Sequence, residues 1–478
     1  MAGIGFELKK LFSKKGIILK VRANIYASLV VAGPMIMGVL LLLGAQLIAR
    51  FGEASLHQQD LVAIIITYSL LFSLLLSSIF LFVLSRFIAD MLYMDAVERI
   101  LPSMYGALSL LLTVGSVSWA IFLYFCRIDF IYSMLCFILF CEGLVVWIQI
   151  NYIAAVKEYR SIVAGFFFGL FTGLLIAFLL TYLKYDVVAS VLFGVCIAYG
   201  VIIIVFTDLL HRFFPMGSGS PLKFLQWIDE YPQLPFVGFF STLALFAHLM
   251  IMWSSPLSQQ VEGLFYQAPP HDIAALVAFL TILITSVNFV TSVEVNFYPT
   301  YRRYFSLLNG DGSLSNIEKA YEGMMATLKQ ELFYLAIQQA LVTLFAIVMI
   351  SEVLVYIGLG FTSNMVGMFR VLCVGYALFA IGNSIMLFLL YFANNSDALL
   401  ATLALLVCNI VGTWVSLSFP AEFYGFGFVF ASAIFYLVAL QRLYAYTKRL
   451  DYFILTKQPV FFIQKQGWFT RLVEKLDN

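Results

Sequence analysis

Few side chains of this 478-residue chain could do chemistry, and most of those lie inside long apolar runs. Glu142 is the clearest, a carboxylate near the middle of the run from Asp129 to Tyr152. At membrane depth such a group is costly unless it is protonated, paired or facing water, so it is a functional candidate by default. Gln149, one heptad on, shares its helix face, and Trp147 stands about one turn past it. Two readings of Glu142 stay open: it faces a cavity or ion site, or it is a protonated, hydrogen-bonded strut between helices. Glu294, late in the run from Ile273 to Tyr298, serves either the same purpose or pairs with Arg302 and Arg303, which follow it. His248 and Arg370 could line an outer vestibule, although a lone histidine between helices also serves as a packing residue. Asn288, Gln338, Gln339, Asn383 and Asn409 either line a polar path or join helices. No metal centre and no cofactor are expected. The six cysteines all fall in or at the end of apolar runs, with no C-x-x-C spacing and no nearby histidine pair, and read as packing residues.

The elements that must position these groups follow from composition. With 63% hydrophobic and 11% charged residues, and a mean hydropathy of +0.98, the chain is far from the soluble range, where charged residues make up about 25%. A net charge of +1 gives no general attraction to nucleic acid. Runs of about 20 apolar residues, the length that crosses a ~30 Å hydrocarbon core, repeat from Ala27 onward. Six are predicted near 27–49, 62–84, 103–125, 129–152, 161–183 and 187–207, and six more near 234–253, 273–298, 331–351, 369–391, 398–418 and 425–446. The fold class is therefore all-α and polytopic. Twelve transmembrane helices form two six-helix bundles, at 25–210 and 234–446, joined by a cytoplasmic linker at 211–233 whose Pro215, Gly217, Gly219 and Pro221 break the helix. Residues 1–24 read as an amphipathic interfacial segment that is not cleaved, and 447–478 as a cytoplasmic tail.

With both termini inside, 23 of the 27 lysines and arginines fall on the cytoplasmic side and only Arg50, Arg127, Lys184 and Arg370 outside. The two halves also repeat. Ala96-Val97-Glu98-Arg99 with Met104 and Leu108 matches Asn316-Ile317-Glu318-Lys319 with Met324 and Leu328 at a constant offset of 220 residues. Six helices per half give both halves the same orientation, a parallel repeat with the substrate path between the lobes.

The opening Met1-Ala2-Gly3-Ile4-Gly5-Phe6-Glu7-Leu8, with Lys9-Lys10, resembles the start of the PelG family, inner-membrane exporters of the Pel exopolysaccharide. Length and helix count fit as well. The resemblance implies a fold of the multidrug/oligosaccharidyl-lipid/polysaccharide (MOP) exporter superfamily, two bundles facing a central cavity. It also implies export of a nascent N-acetylhexosamine-rich polymer made by a cytoplasmic PelF-like glycosyltransferase, in company with a PelD-like cyclic di-GMP receptor and PelE-like membrane partners. The amides named above then become candidates for bonds to sugar hydroxyls, and Arg302 and Arg303 for docking the glycosyltransferase. The family supplies no catalytic motif.

A transporter in the cytoplasmic membrane, not an enzyme, is the expected function. The longest internal soluble stretch, 299–330, is shorter than a domain with its own core, and no G-x-x-x-x-G-K-[ST] loop is present. Two alternatives remain: an ion-coupled exporter of lipid-linked oligosaccharide or small lipophiles on the same fold, and a non-transporting scaffold for a synthase.

Overall fold

The computed structural model describes residues 33–156, 159–217, 219–310, 312–356, 361–457 and 467–477. The amphipathic segment expected at 1–24 lies outside the described residues. The first lobe comprises α1 (Gly33–Phe51), α2 (Leu56–Tyr93), α3 (Ile100–Cys126), α4 (Phe130–Ile153), α5 (Tyr159–Tyr182) and α6 (Val187–Phe213). The second comprises α7 (Gln233–Met252), α8 (Pro269–Leu308), α9 (Leu314–Leu354), α10 (Ser363–Tyr391), α11 (Asn395–Ser416) and α12 (Phe426–Thr447). Among the described residues, eleven of these are long and apolar enough to cross a membrane, and α1 adds a shorter apolar helix at their edge.

Polar residues at the breaks start the helices, because the first N–H groups of a helix have no partner within it. Ser55 and Gln58 form a capping box at α2, and Asp129 and Asp186 accept from Ile131 N (2.9 Å) and Ala189 N (2.8 Å) at α4 and α6. Thr362 and Asn394 do the same for α10 and α11.

The repeat is visible in the packing. In the first lobe α4 packs on α2, α3 and α6, α5 on α6, and α1 on α5 and α2. In the second, α10 packs on α8, α9 and α12, α11 on α12, and α7 on α11 and α8. Each pairing in one list has its counterpart in the other. Met104 and Met324, matched in the sequence repeat, are both fully buried. Each lobe has its own apolar core, and Phe82, Trp253 and Leu390 touch both. Between the lobes α2 packs against α7, where Gly238 lies so close to the Ser78 carbonyl that a Cβ would come within 2.2 Å of it.

Two stretches between the spans are built into the fold. The stretch 299–330 is mostly helix, since α8 runs to Leu308 and α9 starts at Leu314. Ala320, Met324 and Leu328, four apart and buried, give the extension of α9 an apolar stripe, while Glu318, Lys319 and Lys329 stay exposed. The linker is docked. Phe224 is buried edge-on against Phe80 (5.4 Å), and Trp227 Nε1 donates to Asp90 Oδ2 at 2.8 Å beneath α2. Asp229 in turn caps the tail helix Trp468–Asp477, accepting from Thr470 N at 2.7 Å and Thr470 Oγ1 at 2.8 Å.

The fold also contains strands, which the all-α reading lacked. β1 (Gln259–Glu262) and β2 (Phe265–Gln267) pair antiparallel between α7 and α8. Gly263 at φ +57° opens the two-residue turn, a conformation that a Cβ disfavours.

Candidate translocation path

Glu142 lies on α4, which is held between α2 and α6. Its carboxylate is half-buried. Oε1 points at Gly200 on α6, close enough that a Cβ there would lie at 3.4 Å, and Oε2 is buried with no hydrogen-bond partner among the described residues. Its helix neighbours are committed elsewhere. Trp147 Nε1 donates to Ser73 Oγ on α2 at 3.0 Å, and Gln149 Nε2 donates to Thr207 Oγ1 on α6 at 2.8 Å and to the Ile203 carbonyl at 3.3 Å. Gln149 thus ties α4 to α6. A small pocket opens beside them, lined by Met37, Trp147, Phe166 and Tyr199 among others. It lies within the first lobe, among α1, α4, α5 and α6.

A second polar region runs along α8 and α9. Asn288 Nδ2 donates to Gln338 Oε1 at 2.6 Å, and both side chains are half-buried. Above them Thr285 donates to Gln339 Oε1, and Gln339 Nε2 donates to Thr343 Oγ1 at 3.1 Å. Below them Ser292 donates to Glu331 Oε2, and Asn296 Nδ2 donates to Glu331 Oε1 at 2.9 Å. Residues 285, 288, 292 and 296 recur every three or four positions, so these groups form one stripe along the helix. Glu331, only 8% exposed, is a buried carboxylate at the start of the apolar run 331–351. Glu294 is buried in a π-helical turn of α8, Ser292–Phe297, within electrostatic reach of Tyr391. Such turns are frequent at functional sites.

A model of the PelG family, described as an exopolysaccharide exporter (EPS-E), matches residues 1–455. The chain belongs to the PelG family. No curated relative matches the sequence. Solved structures of similar fold include the inward-facing conformation of a multidrug resistance MATE family transporter of the MOP superfamily, with a TM-score of 0.61 at 11% identity over 94% of this chain and 99% of that one. The outward-facing conformation of such a transporter gives 0.58 at 12% identity, covering 89% and 96%. A MOP superfamily transporter from Pyrococcus furiosus gives 0.54 at 11% identity, covering 89% and 96%. At these identities the likeness is one of fold. The PelG family match and the apolar helices make the chain a multi-pass membrane exporter with a MOP-type fold.

The remaining expected residues of this PelG-family chain are scattered. His248 is fully buried between α7 and α10, with Nε2 3.2 Å from the Tyr376 hydroxyl and its ring 4.4 Å from that of Phe428. Asn409 Nδ2 donates to the Ala244 carbonyl at 2.6 Å, joining α11 to α7. Asn383 is half-buried on α10, and Arg370 pairs with Glu352 at 3.0 Å. Arg302 and Arg303 are exposed on the last turns of α8. The structure brings Asn288, Gln338 and Gln339 into one stripe and leaves the other candidates outside it.

Proposed function

We propose that this chain moves a growing, hydroxyl-rich exopolysaccharide of Pel type, rich in N-acetylhexosamine, outward across the cytoplasmic membrane. The observation that carries the proposal is the family match over residues 1–455. In this reading both termini, the linker and the stretch 299–330 are cytoplasmic, and β1–β2 is outside, following the bias of Lys and Arg. The path runs between the lobes. Asn288, Gln338 and their neighbours exchange hydrogen bonds with sugar hydroxyls weakly enough to release them. Glu142, Gln149, Trp147, His248, Glu294 and Asn383 are the other groups proposed to face the path or to shape it.

A polysaccharide longer than the ~30 Å core cannot be enclosed in a closed cavity. The lobes must stay parted around it, and elongation by a PelF-like cytoplasmic glycosyltransferase pushes it outward. PelD-like and PelE-like partners complete the assembly, and Arg302 and Arg303 offer the glycosyltransferase a basic rim. Proteoliposomes holding this chain and the synthase, supplied with nucleotide sugar, are expected to extrude polymer after ionophores have collapsed all ion gradients. Synthesis without extrusion would replace this reading with an ion-coupled pump.

A further inference from the structure

The strand pair belongs by sequence to the second lobe and packs on the first. Tyr68, buried on α2, donates from its hydroxyl to the Tyr266 carbonyl at 2.8 Å and accepts from Tyr266 N at 3.1 Å. Its ring stacks on Trp253 of the second lobe at 4.6 Å, and Phe265 meets it edge-on at 5.0 Å. Phe265 is fully buried and also stands edge-on to Phe122 of α3 at 5.6 Å. The turn closes on the end of α3, where a Cβ on Gly263 would lie 1.9 Å from the Cys126 carbonyl and the Cys126 thiol lies against the Leu264 backbone. Farther out, His57 Nε2 lies 3.1 Å from the Val261 carbonyl.

Depth gives this arrangement its meaning. Tyr68 is twelve residues into α2 and six residues into its apolar run 62–84, about 9 Å at 1.5 Å per residue. Non-helical backbone at membrane depth persists only where protein buries it or where it lines a watery cavity. Here one tyrosine hydroxyl satisfies both backbone groups of Tyr266. The strands therefore reach into the seam between the lobes.

We propose that β1–β2 is a built-in plug occupying a sugar station, with Phe265 filling the place of a pyranose ring against Tyr68 and Phe122, and the Tyr266 backbone filling the place of its hydroxyls on Tyr68. The C–H face of a pyranose packs on an aromatic face as an apolar ring does, and its hydroxyls give and accept as a peptide group does. When the strands lift, the polymer takes over both roles and Trp253 supplies a second ring face. This inference rests on the export reading for the identity of the polymer. The closure itself rests on contacts within the chain.

The test begins with a lock. Leu264→Cys, in a chain whose other native thiols are removed, gives a thiol pair with Cys126 that oxidant joins across the plug. Oxidised protein in cells making the polymer is expected to lose nearly all secretion and to regain it on reduction. Each single-thiol control should be indifferent to oxidant. Undiminished secretion with the disulfide formed would overturn the plug. Absence of secretion from the unlocked protein, with the synthase active, would instead count against the export reading; the plug is then judged on the next two measurements. Tyr68→Phe should raise the rate at which an impermeant maleimide reaches Cys126 from outside by several-fold, and an unchanged rate would remove Tyr68 as the latch. In detergent, Phe265→Ala should bind the tetramer of N-acetylglucosamine several-fold more tightly than the unaltered chain, and adding Tyr68→Ala should abolish the gain. Equal affinity in all three would overturn the station.

Discussion

The seam between α2 and α3 and the seam between α8 and α9 occupy matching places in the two halves, as the 220-residue offset and the shared packing pattern show. The first is built of rings: Tyr68, Phe72 and Phe122 around Trp119, which stacks on Phe140 of α4 at 4.5 Å. The second is built of amides, hydroxyls and one carboxylate, from Thr285 to Asn296 and from Glu331 to Thr343. The same backbone thus carries two chemistries. Ring contacts gain from buried area and dispersion. Hydrogen bonds between helices in a bilayer contribute only about 0.6 kcal/mol on average, because the separated helices find other partners. A seam that must exchange partners with passing hydroxyls suits the second kind, and a seam that anchors a closure suits the first.

The largest effect expected from breaking this contrast is on the ring side. Trp119→Ala should cost about 3–5 kcal/mol, as truncation of a buried aromatic does, and appear as a lower unfolding temperature in detergent. A loss below about 1 kcal/mol would mean that the rings do not carry the first seam. Glu331→Leu comes next, since it leaves Ser292 and Asn296 as donors without their acceptor at a cost of about 1–3 kcal/mol, while Glu331→Gln should recover much of that. Equal loss in both variants would point to shape, not acceptor chemistry. Glu142→Gln should lower secretion several-fold with nearly unchanged folded protein, and normal secretion would make Glu142 a strut. Asn288→Leu and Gln338→Leu, taken through a double-mutant cycle, should show a coupling of about 0.6 kcal/mol, at most about 1.7, with secretion falling further than stability does. Stability and secretion falling in step would make this seam as structural as the other. Smallest is the rim: Arg302→Glu with Arg303→Glu should shift stability by less than about 0.5 kcal/mol yet weaken co-purification of the glycosyltransferase, most at low partner concentration. Unchanged recovery at both low and high salt would move the docking surface elsewhere.

Most of the architecture was legible in the sequence because a bilayer demands about 20 apolar residues per crossing, and that signal is long. Predicted and observed spans agree to within a few residues for α4, α5 and α7. Helices α8 and α9 continue past their apolar runs, where the hydropathy signal ends, on amphipathic turns such as Ala320-Met324-Leu328. The amide seam was half legible. Asn288 and Gln338 stood out singly, but the spacing of Thr285, Asn288, Ser292 and Asn296 was the stronger signal, and Glu331 stands at the edge of an apolar run, where a carboxylate draws no notice. The plug was not legible. Gln259 to Gln267 has no clean alternation, and its closest partner, Tyr68, is 198 residues away from Tyr266. Only tertiary contact makes that stretch a strand pair.

The two halves also differ in how their first two helices are joined. Four residues, 52–55, connect α1 to α2, whereas sixteen, 253–268, connect α7 to α8 and hold the strand pair. During synthesis α2 and α3 are therefore made and inserted well before the strands that will cover them leave the ribosome. Because domains fold largely in the order they are made, a chain arrested after its first six helices would present Tyr68, Phe122 and Cys126 uncovered. Completion of the seal is a late event in the life of each molecule, and the thiol of Cys126 is a built-in clock for it.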